Sequence, residues 1–425
     1  MTRKMKDSGI EWIGEIPEGW EVVKAKYLFA QRNEKGNSAL VLLSPTQKYG
    51  VIPQSQLEGV VQVKESTDLR AFKTIHIGDF VISLRSFQGG FEFSNYEGVC
   101  SPAYQVFHAT KDLSNDFFRY LFKSDGFISK INSLTVGIRE GKNIQYWDFS
   151  NMLLALPPKE VQIRSAQYLS AKCTEIDTML SKTRSSIEEY KKLKQAVITQ
   201  AVTKGVRGVR EMKDSGVEWI GEIPTTYSIC KLKYLLKNPL KYGANESGIP
   251  YSDSLPRYIR ITDITPDGNL KCTGKLSLSE ESAKDYILED GDILFARSGA
   301  TVGKTFIYYQ SYGRSAYAGY LIKASLNNKV SPKFVYYYTC SSLYEIWKNS
   351  IFIQSTIQNI GADRYANLPV PVPKTLQEQE EIADYLDAKC AEIDGLIAKK
   401  EQLVKELESY KKSLIYEVVT GKREV

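Results

Sequence analysis

Apolar residues follow two regimes along the chain. In two long stretches they recur at steps of three, four and seven: Ile176, Leu180, Ile187, Tyr190, Val197 and Ala201 in the first, and Ile393, Ile397, Val404, Leu407, Leu414 and Val418 in the second. That spacing marks the seam of a coiled coil. No Gly or Pro interrupts residues 161–203, Pro157-Pro158 and Pro373 stand just before the two starts, and Gly205 and Gly421 stand at the stops. Each stretch predicts a helix of roughly 43 residues, about 65 Å long, which needs a partner for its apolar stripe. Elsewhere the apolar residues come in short runs of strand composition. These are "DFVISL" (79–84), "AYQVFHA" (103–109), "YIRITDI" (258–264), "DILFAR" (292–297) and "TFIYYQ" (305–310). The fold class expected is α+β: two mixed α/β blocks and two long helices.

The pattern is written twice. "MKDSGIEWIGEIPEGW" opens at Met5 and "MKDSGVEWIGEIPTTY" at Met212, identical at twelve of their first thirteen positions. A second repeat lies within the helical stretches, "QYLSAKCTEIDTML" (167–180) against "DYLDAKCAEIDGLI" (384–397). The offset is 207 at the opening phrase and 217 at the helices, and the blocks between share little sequence. A tandem duplication with alike edges and divergent middles gives four regions: a block over 1–155, a helix over 156–210, a block over 211–370 and a helix over 371–425. A pseudo-twofold axis across the helices makes their pairing antiparallel and intramolecular, with the blocks at opposite ends of the rod. Two independent helices, each packed on its own block, are the alternative.

Charge refines this picture. The chain carries 56 Lys and Arg against 50 Asp and Glu. The helical region 156–205 is net +4 and 371–425 net −3, a complementarity that suits intramolecular pairing, whereas both blocks are nearly neutral. Nucleic-acid binders usually show a basic excess, so charge alone lends DNA binding little support. No apolar run has the length of a membrane span, and the N-terminus lacks the apolar core of an export signal. A cytoplasmic protein is the default expectation. The six cysteines form no C-x-x-C pair and read as reduced thiols.

Catalytic chemistry is hard to find. The two histidines, His76 and His108, lie in or beside strand-like segments without metal-ligand spacing. There is no phosphate-binding loop, dinucleotide fingerprint or nucleophile elbow; "RSGATVGKT" (297–305) has its glycines wrongly spaced for the first. What the blocks carry instead are loops mixing Arg, Lys, Gln, Ser and Thr with small residues: 44–50, 83–90 and 137–147, then 296–305, 313–320 and 353–359. Such side chains read base edges and hold phosphates. Ordinary polar loops are the alternative.

Together, "SGIEWIGEIPEGWEVVKAKYLF", "GDFVIS", "GDILFARSG" and the block exits "NMLLALPPKEVQ" and "ANLPVPVPKTLQEQ", each before a long helix, resemble the specificity subunits of type I restriction–modification systems. The resemblance spans essentially the whole chain, though "EVQIRS" departs from the usual exit text. It implies a non-catalytic subunit whose two blocks are target recognition domains, each reading one half of a split, asymmetric double-stranded DNA sequence. It implies that the helices hold the half-sites apart and dock two methyltransferase subunits, with restriction subunits joining the full complex. It implies that no cofactor binds this chain, S-adenosylmethionine and ATP with magnesium belonging to the partners. By position, the DNA contacts expected are Lys48, Tyr49, Ser83, Arg85, Arg139 and Lys142 in the first block. In the second they are Arg260, Arg297, Ser298, Thr301, Lys304 and Gln354. A coiled-coil adaptor bridging protein partners without DNA is the competing reading, and it leaves the divergence of the two blocks without a reason. A self-contained DNA-cutting or methylating enzyme lacks a visible active site.

Overall fold

The computed structural model describes residues 3–35, 40–57, 69–83, 90–134, 144–265, 268–353 and 359–425. It divides into two compact units, residues 1–184 with 402–425, and residues 185–401. The division falls inside both long helices, Lys159–Lys204 and Leu376–Val419.

In the first unit a hairpin of Met5–Asp7 and Glu15–Pro17 opens the chain, and Glu21–Lys24 pairs with the block exit Leu153–Leu156. The central sheet is four antiparallel strands in the order Phe29–Arg32, Gln105–Ala109, Phe80–Ile82, Phe91–Phe93. Its inner face is phenylalanine-rich: Phe29, Phe80, Phe91 and Phe107 meet Phe118, Phe122 and Phe149 from the covering helices, with ring centroids 4.8–6.0 Å apart. Such contacts add to area burial.

The second unit repeats the plan in different text. Met212–Asp214 pairs with Glu222–Pro224, Tyr227–Lys231 with Pro369–Pro373, and the central sheet runs Lys241–Tyr242, Leu321–Ala324, Ile293–Ala296, Thr305–Ile307. A second four-stranded sheet, absent from the described part of the first unit, includes the parallel pair Arg257–Ile259 and Ser315–Tyr317. The expected strand over 258–264 is correspondingly shorter. It ends at Ile259, and a 3-10 turn over Ile261–Asp263 takes its place because Asp263 folds back onto Arg260.

The helix segments pair antiparallel within each unit. In the first, Asp177 holds Lys411 at 2.7 Å and Arg184 holds Glu408. In the second, Lys194 holds Asp394 at 2.6 Å and Arg207 holds Glu381 at 2.6 Å. Asp177 and Asp394 are duplicates of one another, as are Lys194 and Lys411, so one ion pair occurs in both units. Beneath these pairs Ile176, Leu180, Ile187, Ile393 and Leu414 are buried, while Tyr190, Val197, Ile397, Val404 and Leu407 are half-buried. Near its end the first helix buries Ile198 as well, against a core containing Ile220, Ile223 and Tyr227. No helix among the described residues is long and apolar enough to cross a membrane, and all six cysteines are free.

Candidate nucleic-acid interface

In the second unit Arg297 follows directly on the buried strand Ile293–Ala296, whose hairpin closes through Ala296 N–H to Lys304 O (2.8 Å) and Gly303 N–H to Ala296 O (2.9 Å). The backbone of Arg297 is bracketed on both sides. Its N–H donates to Tyr320 O at 3.0 Å, and its carbonyl accepts from Ile360 N–H at 2.8 Å. Ser298 bridges to Asn359. The side chain lies over the ring of Tyr242, its guanidinium carbon 4.9 Å from the centroid. Tyr242 is itself fixed, because its hydroxyl accepts the Ala362 N–H at 3.0 Å. Arg297 Nε is buried and has no hydrogen-bond partner among the described residues. Tyr320, whose carbonyl holds the Arg297 N–H, has 62% of its surface exposed.

Such a guanidinium offers its donors to a planar acceptor, a base edge or a phosphate. The turn beyond it depends on glycine. Gly303 has φ +82°, and a Cβ there would come 2.2 Å from Lys348 Cδ.

The other expected contacts are placed differently. Arg260 is committed inside the fold: Nε and one terminal nitrogen fork onto Asp263 at 2.9 and 2.8 Å, and that nitrogen also reaches Gly274 O at 2.9 Å. The Asp263 carboxylate pushes the Arg260 guanidinium pKa upward. Thr301 is half-buried in the turn, and the exposed Lys304 lines a separate cavity of about 310 Å³ with Lys194, Tyr336 and Cys390. In the first unit Lys48 covers the ring of Tyr49 at 4.8 Å on the tip of the hairpin Leu43–Thr46/Gly50–Pro53, with Tyr49 exposed. Ser83 is nearly buried and donates its N–H to Gly90 O at 2.7 Å. Arg85, Arg139, Lys142 and Gln354 lie outside the described residues.

At the start of the strand Phe80–Ile82, the end away from Ser83, is a charged cluster that the sequence pattern did not mark. Arg32 forks onto the buried Asp79 at 2.7 and 3.1 Å, and His76 reaches Glu34 at 3.0 Å. The His76 contact, with Arg32 close by, holds the Glu34 carboxyl below its usual range. Burial first, then Arg32, pushes His108 down. Tyr242, Tyr320 and Asn359 also escaped attention as a group. The one local sign for Tyr242 is the glycine after it, since a Cβ at Gly243 would meet Ala318 O at 2.4 Å. No cluster of metal-ligating side chains occurs among the described residues.

Two units of one plan, each with a small sheet and a share of a helix pair, define a doubled α+β protein. Residues 244–406 match the family model described as the type I restriction modification DNA specificity domain. The chain is 23% identical over 96% of its length to the type I restriction enzyme MjaVIII specificity subunit of Methanocaldococcus jannaschii, covering 93% of that protein. It is 26% identical to the putative MjaX specificity subunit of the same organism, with 96% and 95% covered. Among solved structures it resembles a chain reported under complex assembly and conformational transition of the type I R-M system (TM-score 0.73, 17% identity, 96% and 99% covered). It also resembles the HsdS subunit of Thermoanaerobacter tengcongensis (TM-score 0.54, 16% identity, 96% and 98% covered). The chain is thus similar to type I restriction enzyme specificity subunits over nearly its whole length, in sequence and in fold.

Proposed function

We propose that this chain is the non-catalytic DNA-recognition subunit of a type I restriction–modification complex, each unit reading one half of a split, asymmetric target. The observation that carries this reading is Arg297, at the end of a buried strand with its guanidinium stacked on Tyr242 and in no ion pair among the described residues. Arg260, by contrast, is held three times over within the fold. Two methyltransferase subunits dock on the chain and bring S-adenosylmethionine, and restriction subunits bring ATP and magnesium. The near-neutral blocks fit this division, because partners supply much of the phosphate contact while these loops supply discrimination.

The test is the complex with its methyltransferase carrying Arg297→Ala, read by mapping methylated bases. One half-site should relax, since a bidentate arginine contact discriminates by about 1–3 kcal/mol, while the other half-site and assembly stay as they were. Unchanged methylation of the full target would remove Arg297 from the interface. An adaptor that never touches DNA would show no preference for target over scrambled duplex in that complex.

A further inference from the structure

The blocks diverged almost everywhere, yet a five-residue segment at the root of each kept four of its five residues and its exposure. Lys24-Ala25-Lys26-Tyr27-Leu28 and Lys231-Leu232-Lys233-Tyr234-Leu235 are duplicates, each a 3-10 turn joining the root strand to the central sheet. The inner residues are anchored alike. Ala25 N–H donates to Met152 O at 2.9 Å and Leu232 N–H to the equivalent Leu368 O at 2.9 Å, and Ala25, Leu28, Leu232 and Leu235 are buried. The outer residues are exposed alike, Tyr27 at 56% and Tyr234 at 69%, each with a lysine ammonium over its ring at 5.4 and 5.2 Å. Lys24, Lys26, Lys231 and Lys233 make no ion pair among the described residues, whereas Lys237 nearby holds Glu289.

Isolated exposed aromatics are ordinary. The same aromatic, exposed in both copies beside unpaired lysines while its surroundings changed, is a surface kept for one task done twice. Its position argues against base reading. In the first sheet Phe29 pairs with Ala109 beside the turn, whereas Ile82, next to Ser83, pairs with Gln105 at the opposite end. In the second, Leu236 bridges Leu326 near the turn, whereas Ala296, next to Arg297, pairs with Leu321. A strand of that length separates the two ends by about 13 Å.

We infer that each Lys–Tyr turn seats one copy of a protein partner, the ring entering an apolar slot and the lysines meeting acidic groups at its rim. This rests on the reading above, in which a methyltransferase binds twice. Tyrosine beside cationic side chains is the composition of an interface anchor.

The experiment uses the full chain with its methyltransferase and three variants: Lys26→Ala with Tyr27→Ala, Lys233→Ala with Tyr234→Ala, and all four together. Sedimentation should show each pair weakening one methyltransferase copy by about tenfold or more, and the fourfold variant weakening both. Tyr27→Phe and Tyr234→Phe should bind as the unaltered chain does, and an unchanged melting temperature shows that the fold is intact. Unchanged affinity for both copies overturns the inference. Intact assembly with a DNA salt dependence shallower by about one ion per lysine removed also overturns it, assigning the turns to the phosphate backbone. If the unaltered chain takes up no methyltransferase, it is the partner reading that falls, and this inference with it.

Discussion

Arg260 and Arg297 each stand at the C-terminal end of a short strand, and the sequence offers both as DNA contacts. The difference lies three residues downstream. Asp263 follows Arg260 at turn spacing and receives both its backbone N–H and its guanidinium, whereas Gly-Ala-Thr follows the Arg297-Ser298 pair with no acid at that spacing. Arg-x-x-Asp across a strand end is therefore a legible sign that an arginine serves the fold. The stacking of Arg297 on Tyr242 was not legible, because 55 residues of chain separate them and only the sheet brings them together. The contrast predicts opposite behaviour. Arg260→Ala leaves a buried carboxylate short of its main partners and should cost about 1–3 kcal/mol, seen as a lower thermal midpoint. Arg297→Ala should leave that midpoint in place, and comparable destabilisation by both would contradict the division of roles.

At the scale of elements, the helices were the most readable part, because a seven-residue repeat sustained over five turns or more suits neither a strand nor a loop. Their observed limits, 159–204 and 376–419, lie close to those that proline and glycine punctuation predicted. The seam was less clear at the end of the first helix, where Ile198 is buried and Val197 half-buried. There the helix serves a domain core besides its partner helix, so one heptad position no longer describes it. Two glycines test the helix account from opposite sides. A Cβ at Gly395, inside the second helix and exposed, would meet nothing within 4 Å, so Gly395→Ala should stabilise by about 0.5–1 kcal/mol. Gly421, just past that helix, has φ +73°, and a Cβ there would lie 2.5 Å from Pro17 Cδ and 2.9 Å from Trp20. Gly421→Ala should therefore destabilise by more than about 1 kcal/mol. Denaturant unfolding of the two variants side by side measures both, and a destabilising Gly395→Ala would overturn the helix account.

For the molecule as a whole, duplication explains why some parts repeat and others do not. The edges that anchor a block kept their residues: the opening phrase, the Asp–Lys pair between helices, the turns at the block roots. The opening phrase shows what such an anchor does. In the first unit Trp12 packs edge-on to Phe127 at 6.3 Å and against Gly126, where a Cβ would come 2.5 Å from the indole. Tyr416 of the second helix donates its hydroxyl to Trp12 O at 3.1 Å, and Lys422 Nζ reaches Ile13 O at 2.6 Å. The phrase thus ties the end of a long helix to the root of its block, remote in sequence from the loops expected to read DNA. In the second unit the duplicate Trp219 packs against the core that includes Ile198, Ile220 and Tyr227, and the Tyr227 hydroxyl donates to Glu378 at 3.0 Å. If anchoring and reading are separate tasks, Trp12→Ala should cost about 2–4 kcal/mol, less than full burial would because the indole is half-exposed. The loss should appear in the unfolding of the first unit, with the methylated sequence in the assembled complex unchanged. A shifted methylation target in that variant would mean that the root of a block also shapes what its loops read.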